Sequence, residues 1–168
     1  MVYDDKAIYE LSCELVSLLS KNGLTLSVAE SCTGGLIAKS ITDVPGASSV
    51  FYGGVVSYDN SVKMNILGVC EKTLMSVGAV SSECALQMAS GVKGALKTDV
   101  SLSTTGIAGP GGATPTKPVG TVWVGLSANG SCESSLLSID STLSREEIRK
   151  NAAYLAIKLL IKKISENY

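Results

Sequence analysis

The sequence contains no histidine. That absence removes Ser-His-Asp triads, Cys-His dyads and histidine-ligated zinc from what one copy of the chain can build. Any catalytic base must be Lys, Asp, Glu or Tyr. Paired-cysteine motifs are missing as well. Cys13, Cys32, Cys70, Cys84 and Cys132 are scattered, odd in number and never spaced as CxxC, the pattern of reduced thiols in a cytoplasm, most of them core fillers. Charge of either sign is scarce in excess: 14 basic residues face 15 acidic ones, for a net charge of −1. A nucleic-acid partner, which calls for a basic surplus, is therefore not expected. Long apolar runs are also lacking. Lys158, Lys162 and Lys163 interrupt the most apolar helix, and Asp4 and Asp5 stand where a signal peptide would need positive charge, so neither a membrane span nor a secretory leader is expected. What remains is an ordinary globular composition, 45% hydrophobic and 17% charged over 168 residues, which fits one domain (1–168) with a sizeable core.

The stretch that organises the chain is Ala29-Glu30-Ser31-Cys32-Thr33-Gly34-Gly35. Leu24, Leu26 and Val28 alternate with Thr25 and Ser27 before it, as in a strand, and Leu36 to Ile41 reads as a helix after it. A serine at such a turn joins a nucleophile to the unpaired N–H groups of a helix start, which can hold an oxyanion or a phosphate. The plainer alternative is that Ser31 or Thr33 caps the helix and the glycines allow close packing.

The other elements follow from period and punctuation. Asp4 to Lys21 carries Ile8, Leu11, Leu15, Leu18 and Leu19 on one face of a helix that Asn22-Gly23 stops. Ser49 to Tyr58 reads as a strand with a weakening or bulged Gly53-Gly54 pair. Asp59 or Asn60 caps a short helix closed by Gly68, a turn or two of helix covers 71–77, and Ser81 opens a longer helix. Asp99 to Thr105 is a half-buried strand that runs into the glycine-rich loop Gly106 to Gly112. Val119 to Ser127, Asn129-Gly130 and Leu136 to Ile139 form a hairpin. Ser144 and Glu147 make the capping box of a final helix with Ile148, Ala152, Leu155 and Leu159 facing the core. Helices interleaved with strands predict an α/β fold, a three-layer α/β/α sandwich on a mixed, mostly parallel sheet with one antiparallel hairpin.

Sites in such sheets form where strands end, and three ends stand out. Ser31 follows the first strand, Tyr58 to Lys63 the second, and Thr105-Gly106 the third. Each has an ordinary reading: Lys63 as a solvated helix lysine, Tyr58 as a strand-end aromatic, the glycine loop as a connection. Together they offer a serine nucleophile and a lysine that, desolvated, serves as a neutral amine base. Arg145, in the first turn of the last helix, is either a two-pronged anion ligand or merely exposed.

The strings Ala29 to Gly35, Tyr58-Asp59-Asn60-Ser61-Val62-Lys63, Gly78-Ala79-Val80-Ser81, Thr105 to Gly112 and Lys117-Pro118-Val119-Gly120-Thr121-Val122 resemble the CinA C-terminal domain family. That family comprises competence- and damage-inducible proteins and their stand-alone relatives, the nicotinamide-nucleotide amidases. The resemblance covers nearly the whole chain and implies the stand-alone form. It implies hydrolysis of the carboxamide of nicotinamide mononucleotide to the acid and ammonia, in NAD recycling, by a cytoplasmic homodimer that needs no metal or cofactor. By that resemblance Ser31 is the nucleophile and Lys63 its partner, with Tyr58 beside them. Thr33, Gly34, Thr105, Gly106 and Arg145 are expected around the nucleotide. Glu30 and Cys32 receive no chemistry. Ser61 departs from the longer polar or charged residue frequent in relatives. The alternative function is a nucleotide-binding regulatory domain that keeps the pocket without turnover.

Overall fold

The computed structural model describes residues 2–168. Its strands are β1 (Leu26–Glu30), β2 (Phe51–Val56), β3 (Val100–Gly106), β4 (Thr121–Ala128) and β5 (Ser131–Ser138). Its α-helices are α1 (Asp5–Asn22), α2 (Leu36–Thr42), α3 (Asn60–Leu67), α4 (Glu71–Ser76), α5 (Ser82–Leu96) and α6 (Arg145–Asn167). Most boundaries are made by the capping chemistry legible in the sequence. Asp4, Asp59, Ser81 and Ser144 each accept a backbone N–H at a helix start, and Gly23 and Gly68 close α1 and α3 in left-handed conformations. Asn129 and Gly130, both at positive φ, turn β4 into β5, the backbone twist that tight hairpins favour.

The five strands lie in the order β2-β1-β3-β4-β5. β1 pairs in parallel with β2 and β3, whereas β3–β4 and β4–β5 are antiparallel. The sheet is therefore mixed, as expected, with β4 alone running against the other strands, and "mostly parallel" describes its pairings only loosely. β5 was expected as a short return strand, yet it pairs along its whole length with β4. Helices α1, α2 and α6 cover one face, and α5 with α3 covers the other, completing three layers.

From β1 the chain crosses to β2 on one side, then returns over β1 to β3 on the other. β1 is thus the point at which the winding reverses, the place where open α/β sheets form their crevices. Opposite the β1–β2 pairing, Tyr52 is skipped between Phe51 and Gly53, and Gly53 takes φ +145°. The glycine pair does mark a bulge.

The larger core lies between the sheet and α1, α2 and α6, with Leu15, Leu26, Ile37, Leu102, Ile157 and Leu160 all fully enclosed. On α6 the buried stripe runs through Ile148, Ala152, Ala156, Leu160 and Ile164; Leu155 and Leu159, expected in the core, are only half-buried. Ala153 and Ala156, with short side chains, join this core, where α6 lies against α1. The opposite face is closer and more polar. Ser101, Ser103 and Thr105 on β3 donate from their hydroxyls to the carbonyls of Ala89, Ala85 and Ala79, at 2.7, 2.6 and 2.7 Å. Gly125 on β4 permits that approach, because a Cβ there would lie 2.3 Å from the Ala85 carbonyl oxygen.

Candidate active site

The carboxyl ends of β1, β2 and β3 surround a cavity of about 310 Å3. Ser31, Lys63, Tyr58, Thr105, Gly106 and Arg145 all line it, so six of the eight residues singled out from sequence meet in one place. Ser31 is first after β1, and its N–H donates to the Thr104 carbonyl at 2.9 Å, which ties the serine to the neighbouring strand end.

Lys63 reaches the cavity from below. Its side chain is buried, at 1% exposure, and among the described residues it makes no ion pair. Nζ lies 2.7 Å from the Ser57 carbonyl oxygen, 3.3 Å from that of Tyr58 and 3.2 Å from Ser31 Oγ. Burial pushes its pKa below the ordinary lysine value; the thiols of Cys84 and Cys32 and the carboxylate of Asp59 oppose that shift without cancelling it. Nζ donates to the two carbonyls, and its remaining direction faces the Ser31 hydroxyl; in a neutral amine that direction would hold the lone pair. This is the arrangement a general base requires.

Cys32 presents the competing nucleophile and fails on electrostatics. It is buried, and loss of solvent pushes its thiol up to about 12. A thiol so placed stays protonated near neutrality and is therefore inert, because the thiolate is the reactive form. Cys84, beneath Lys63, is likewise pushed up to about 11 by burial.

The helix start behind Ser31 is not free, contrary to expectation. The carboxylate of Glu30, itself 1% exposed, accepts the N–H groups of Gly35, Ile37 and Ala38 at 3.0, 3.1 and 2.8 Å. The amides of Gly34 and Leu36 donate to the carbonyls of Ser31 and Thr33. An oxyanion or phosphate therefore cannot use the N-terminus of α2. Neither Ser31 nor Thr33 caps the helix either; Glu30 does. Donors open to a ligand are found elsewhere. The amides of Cys32, next to Ser31, and of Ala108, Gly109, Gly111 and Gly112 on the facing loop donate to no carbonyl or carboxylate among the described residues.

Thr33 and Gly34 stand outside the cavity. The Thr33 hydroxyl is buried against that of Thr104 at 2.8 Å. Gly34, at φ +60°, faces outward toward Arg149, whose guanidinium nitrogen would lie 3.2 Å from a Cβ there. Thr105 borders the cavity, but its hydroxyl is committed to Ala79 and so fixes the Ala79-Val80 wall. At Gly106 a Cβ would collide with the Thr121 carbonyl and Val122, so glycine there serves the β3–β4 pairing. Arg145 closes one side. Its guanidinium donates to the Gly109 carbonyl at 2.5 Å and to the Tyr58 hydroxyl at 2.6 Å. Tyr58 is otherwise solvent-facing, and its direct link to Lys63 runs through its carbonyl.

Sequence reasoning missed Glu30 and Arg149. Glu30 had a signal, an acid at a strand end before a helix that opens on Gly-Gly without a capping side chain. Arg149 had none, since its partner, the Thr33 carbonyl at 2.7 Å, is 116 positions away.

A winding reversal at β1, a serine on its end and a buried, unpaired lysine behind it define an α/β sandwich with a Ser–Lys pair at its crevice. The model of the CinA C-terminal domain matches residues 8–164, and the chain belongs to that family. It is 47% identical over 165 residues to a CinA-like protein of Leptospira borgpetersenii, covering 98% of this chain and 39% of that protein. The chain spans 27% to 39% of the length of the curated relatives it matches most strongly. Among solved structures it superposes on the competence/damage inducible protein CihA of Agrobacterium tumefaciens with TM-score 0.90 at 39% identity, covering 96% of this chain and 97% of that one. It also superposes on the competence damage-inducible protein A (ComA) of Klebsiella pneumoniae with TM-score 0.92 at 30% identity, covering 96% and 99%.

Proposed function

We propose that the protein is an amidohydrolase that converts nicotinamide mononucleotide to nicotinic acid mononucleotide and ammonia. The observation that carries this reading is the buried Lys63 amine, held by two carbonyls with its remaining direction on Ser31. A binding domain gains nothing from desolvating an unpaired lysine beside a serine, because that burial costs stability. The choice of nucleotide rests on the family motifs.

In this mechanism neutral Lys63 takes the Ser31 proton as Oγ attacks the carboxamide carbon. The ammonium so formed returns that proton to the leaving amine, ammonia departs, and an acyl-enzyme remains. Water, deprotonated by the same amine, then attacks the ester and frees the acid. The developing oxyanion is met by open amides beside Ser31 or on the glycine loop, each such donor worth about 3–4 kcal/mol in comparable sites. Tyr58 and Arg145 hold the rim, and no cofactor takes part. We further propose a cytoplasmic homodimer. Incubation with nicotinamide mononucleotide and measurement of ammonia and acid product tests the activity. Binding of the nucleotide without ammonia release, even at high enzyme concentration, would leave a regulatory nucleotide-binding domain.

A further inference from the structure

A second groove, of about 540 Å3, runs beside the cavity and shares Arg145 with it. Its charges are unevenly matched. Lys39 pairs with Asp43 at 2.5 Å, and Lys150 pairs with Asp5 at 3.1 Å and Glu146 at 2.8 Å. The acids that line this groove, Asp5 and Glu146, are therefore both engaged by one ammonium. Arg145 and Arg149 have no carboxylate within ion-pair distance among the described residues. They stand four apart on α6, hence on the same side of the helix, with Arg149 half-buried against the Ser31 turn. Among the described residues its guanidinium donates a single hydrogen bond, to the Thr33 carbonyl, and the absence of a side chain at Gly34 gives it room.

We infer that Arg145 and Arg149 together form the subsite for a phosphate monoester, and that the substrate's phosphate lies over the first turns of α6 rather than in the glycine loop. Two guanidiniums without counter-charges, one reaching into the cavity and both lining the adjoining groove, offer the paired N–H groups that match phosphate oxygens. Because Arg149 also grips the turn that carries Ser31, a phosphate held there is anchored to the same rigid piece as the nucleophile. This inference rests on the amidase reading for the choice of substrate, though not for the existence of the subsite.

The test compares nicotinamide mononucleotide with its phosphate-free nucleoside in wild type, Arg149→Gln and Arg149→Lys. Loss of one charge-assisted contact should raise KM for the phosphorylated substrate about 10- to 100-fold, at least tenfold more than for the nucleoside. Arg149→Lys, which keeps the charge and guards against a folding failure, should recover part of that loss. Equal losses on both substrates would reduce Arg149 to a strap on the turn and overturn the inference, as would an unchanged KM. Calorimetric titration with ribose 5-phosphate makes the outcome independent of turnover. If wild type releases no ammonia but binds ribose 5-phosphate, and Arg149→Gln does not, the subsite stands while the amidase reading falls. If wild type fails to bind it at millimolar concentration, the subsite falls.

Discussion

Replacing Lys63 by methionine keeps the length and much of the bulk of the side chain while removing the amine. An ordinary lysine, with a pKa of about 10.4, is neutral in only about one copy in 2,500 at pH 7. Each unit by which burial lowers that pKa multiplies the neutral fraction about tenfold, so in the proposed mechanism the downward push of burial on Lys63 raises the rate. Lys63→Met should lower kcat by at least about 10²- to 10⁴-fold, the contribution of a positioned general base, and Lys63→Arg should be nearly as inactive because guanidinium holds its proton. In wild type, kcat/KM should rise with pH through one ionisation below the ordinary lysine value. Stability must show the same group. With the folded pKa below the unfolded one, the unfolded chain binds the extra proton between the two values. Stability therefore increases with pH across that window, by at most about 1.4 kcal/mol per pH unit, and flattens below the folded pKa, where both states are protonated. Urea melts of wild type and Lys63→Met from pH 6 to 10 isolate this slope, since it vanishes in the variant. Parallel stability curves for the two proteins, or substantial activity in Lys63→Arg, would refute the neutral-amine argument.

Three further outcomes are expected. Cys32→Ala should retain most of the activity, and Cys32 should react slowly with iodoacetamide at pH 8, its thiol lying at about 12; rapid labelling coupled to inactivation would return the cysteine to contention. Glu30→Ala strips the acceptor from three amides of α2 and should cost about 2–4 kcal/mol in urea unfolding, whereas a loss under 1 kcal/mol would mean that water replaces the cap. Gly125→Ala forces a methyl to within 2.3 Å of the Ala85 carbonyl oxygen and should destabilise by about 1–3 kcal/mol, measurable as a lower Tm; an unchanged Tm would show that α5 lifts freely from the sheet.

Features set by adjacent residues were legible in the sequence. The caps at Asp4, Asp59, Ser81 and Ser144, the Asn129-Gly130 hairpin and the strand-end placement of Ser31, Lys63 and Thr105 all depend on neighbours within a few positions. What was not legible depends on distant partners. Periodicity cannot show that β4 lies antiparallel to β3, nor that small residues on α6 turn its buried stripe away from Leu155 and Leu159. The turn after β1 looked like an open anion site because its sequence shows glycines and hydroxyls. Only the fold reveals that Glu30 folds back over three amides and that Thr33 turns away to meet Thr104.

The hydroxyl ladder of β3 has a consequence for how the crevice keeps its shape. Two residues along a strand span about 6.7 Å, and four residues along a helix span about 6 Å. Ser101 and Ser103 can therefore grip Ala89 and Ala85 almost in step, and Thr105 carries the match on to Ala79. The two rulers form a vernier. Greasy side chains tolerate a helix that slips along a sheet; a row of hydroxyls aimed at chosen carbonyls does not. α5 is in this way indexed to the strand next to the one that ends in Ser31, and the far wall of the crevice at Ala79-Val80 inherits that index. A serine-to-alanine change at position 101, more than a dozen ångströms along the strand from the crevice by the same ruler, would loosen the gauge without touching the site, and the first sign should be a poorer fit for substrate rather than an unfolded protein.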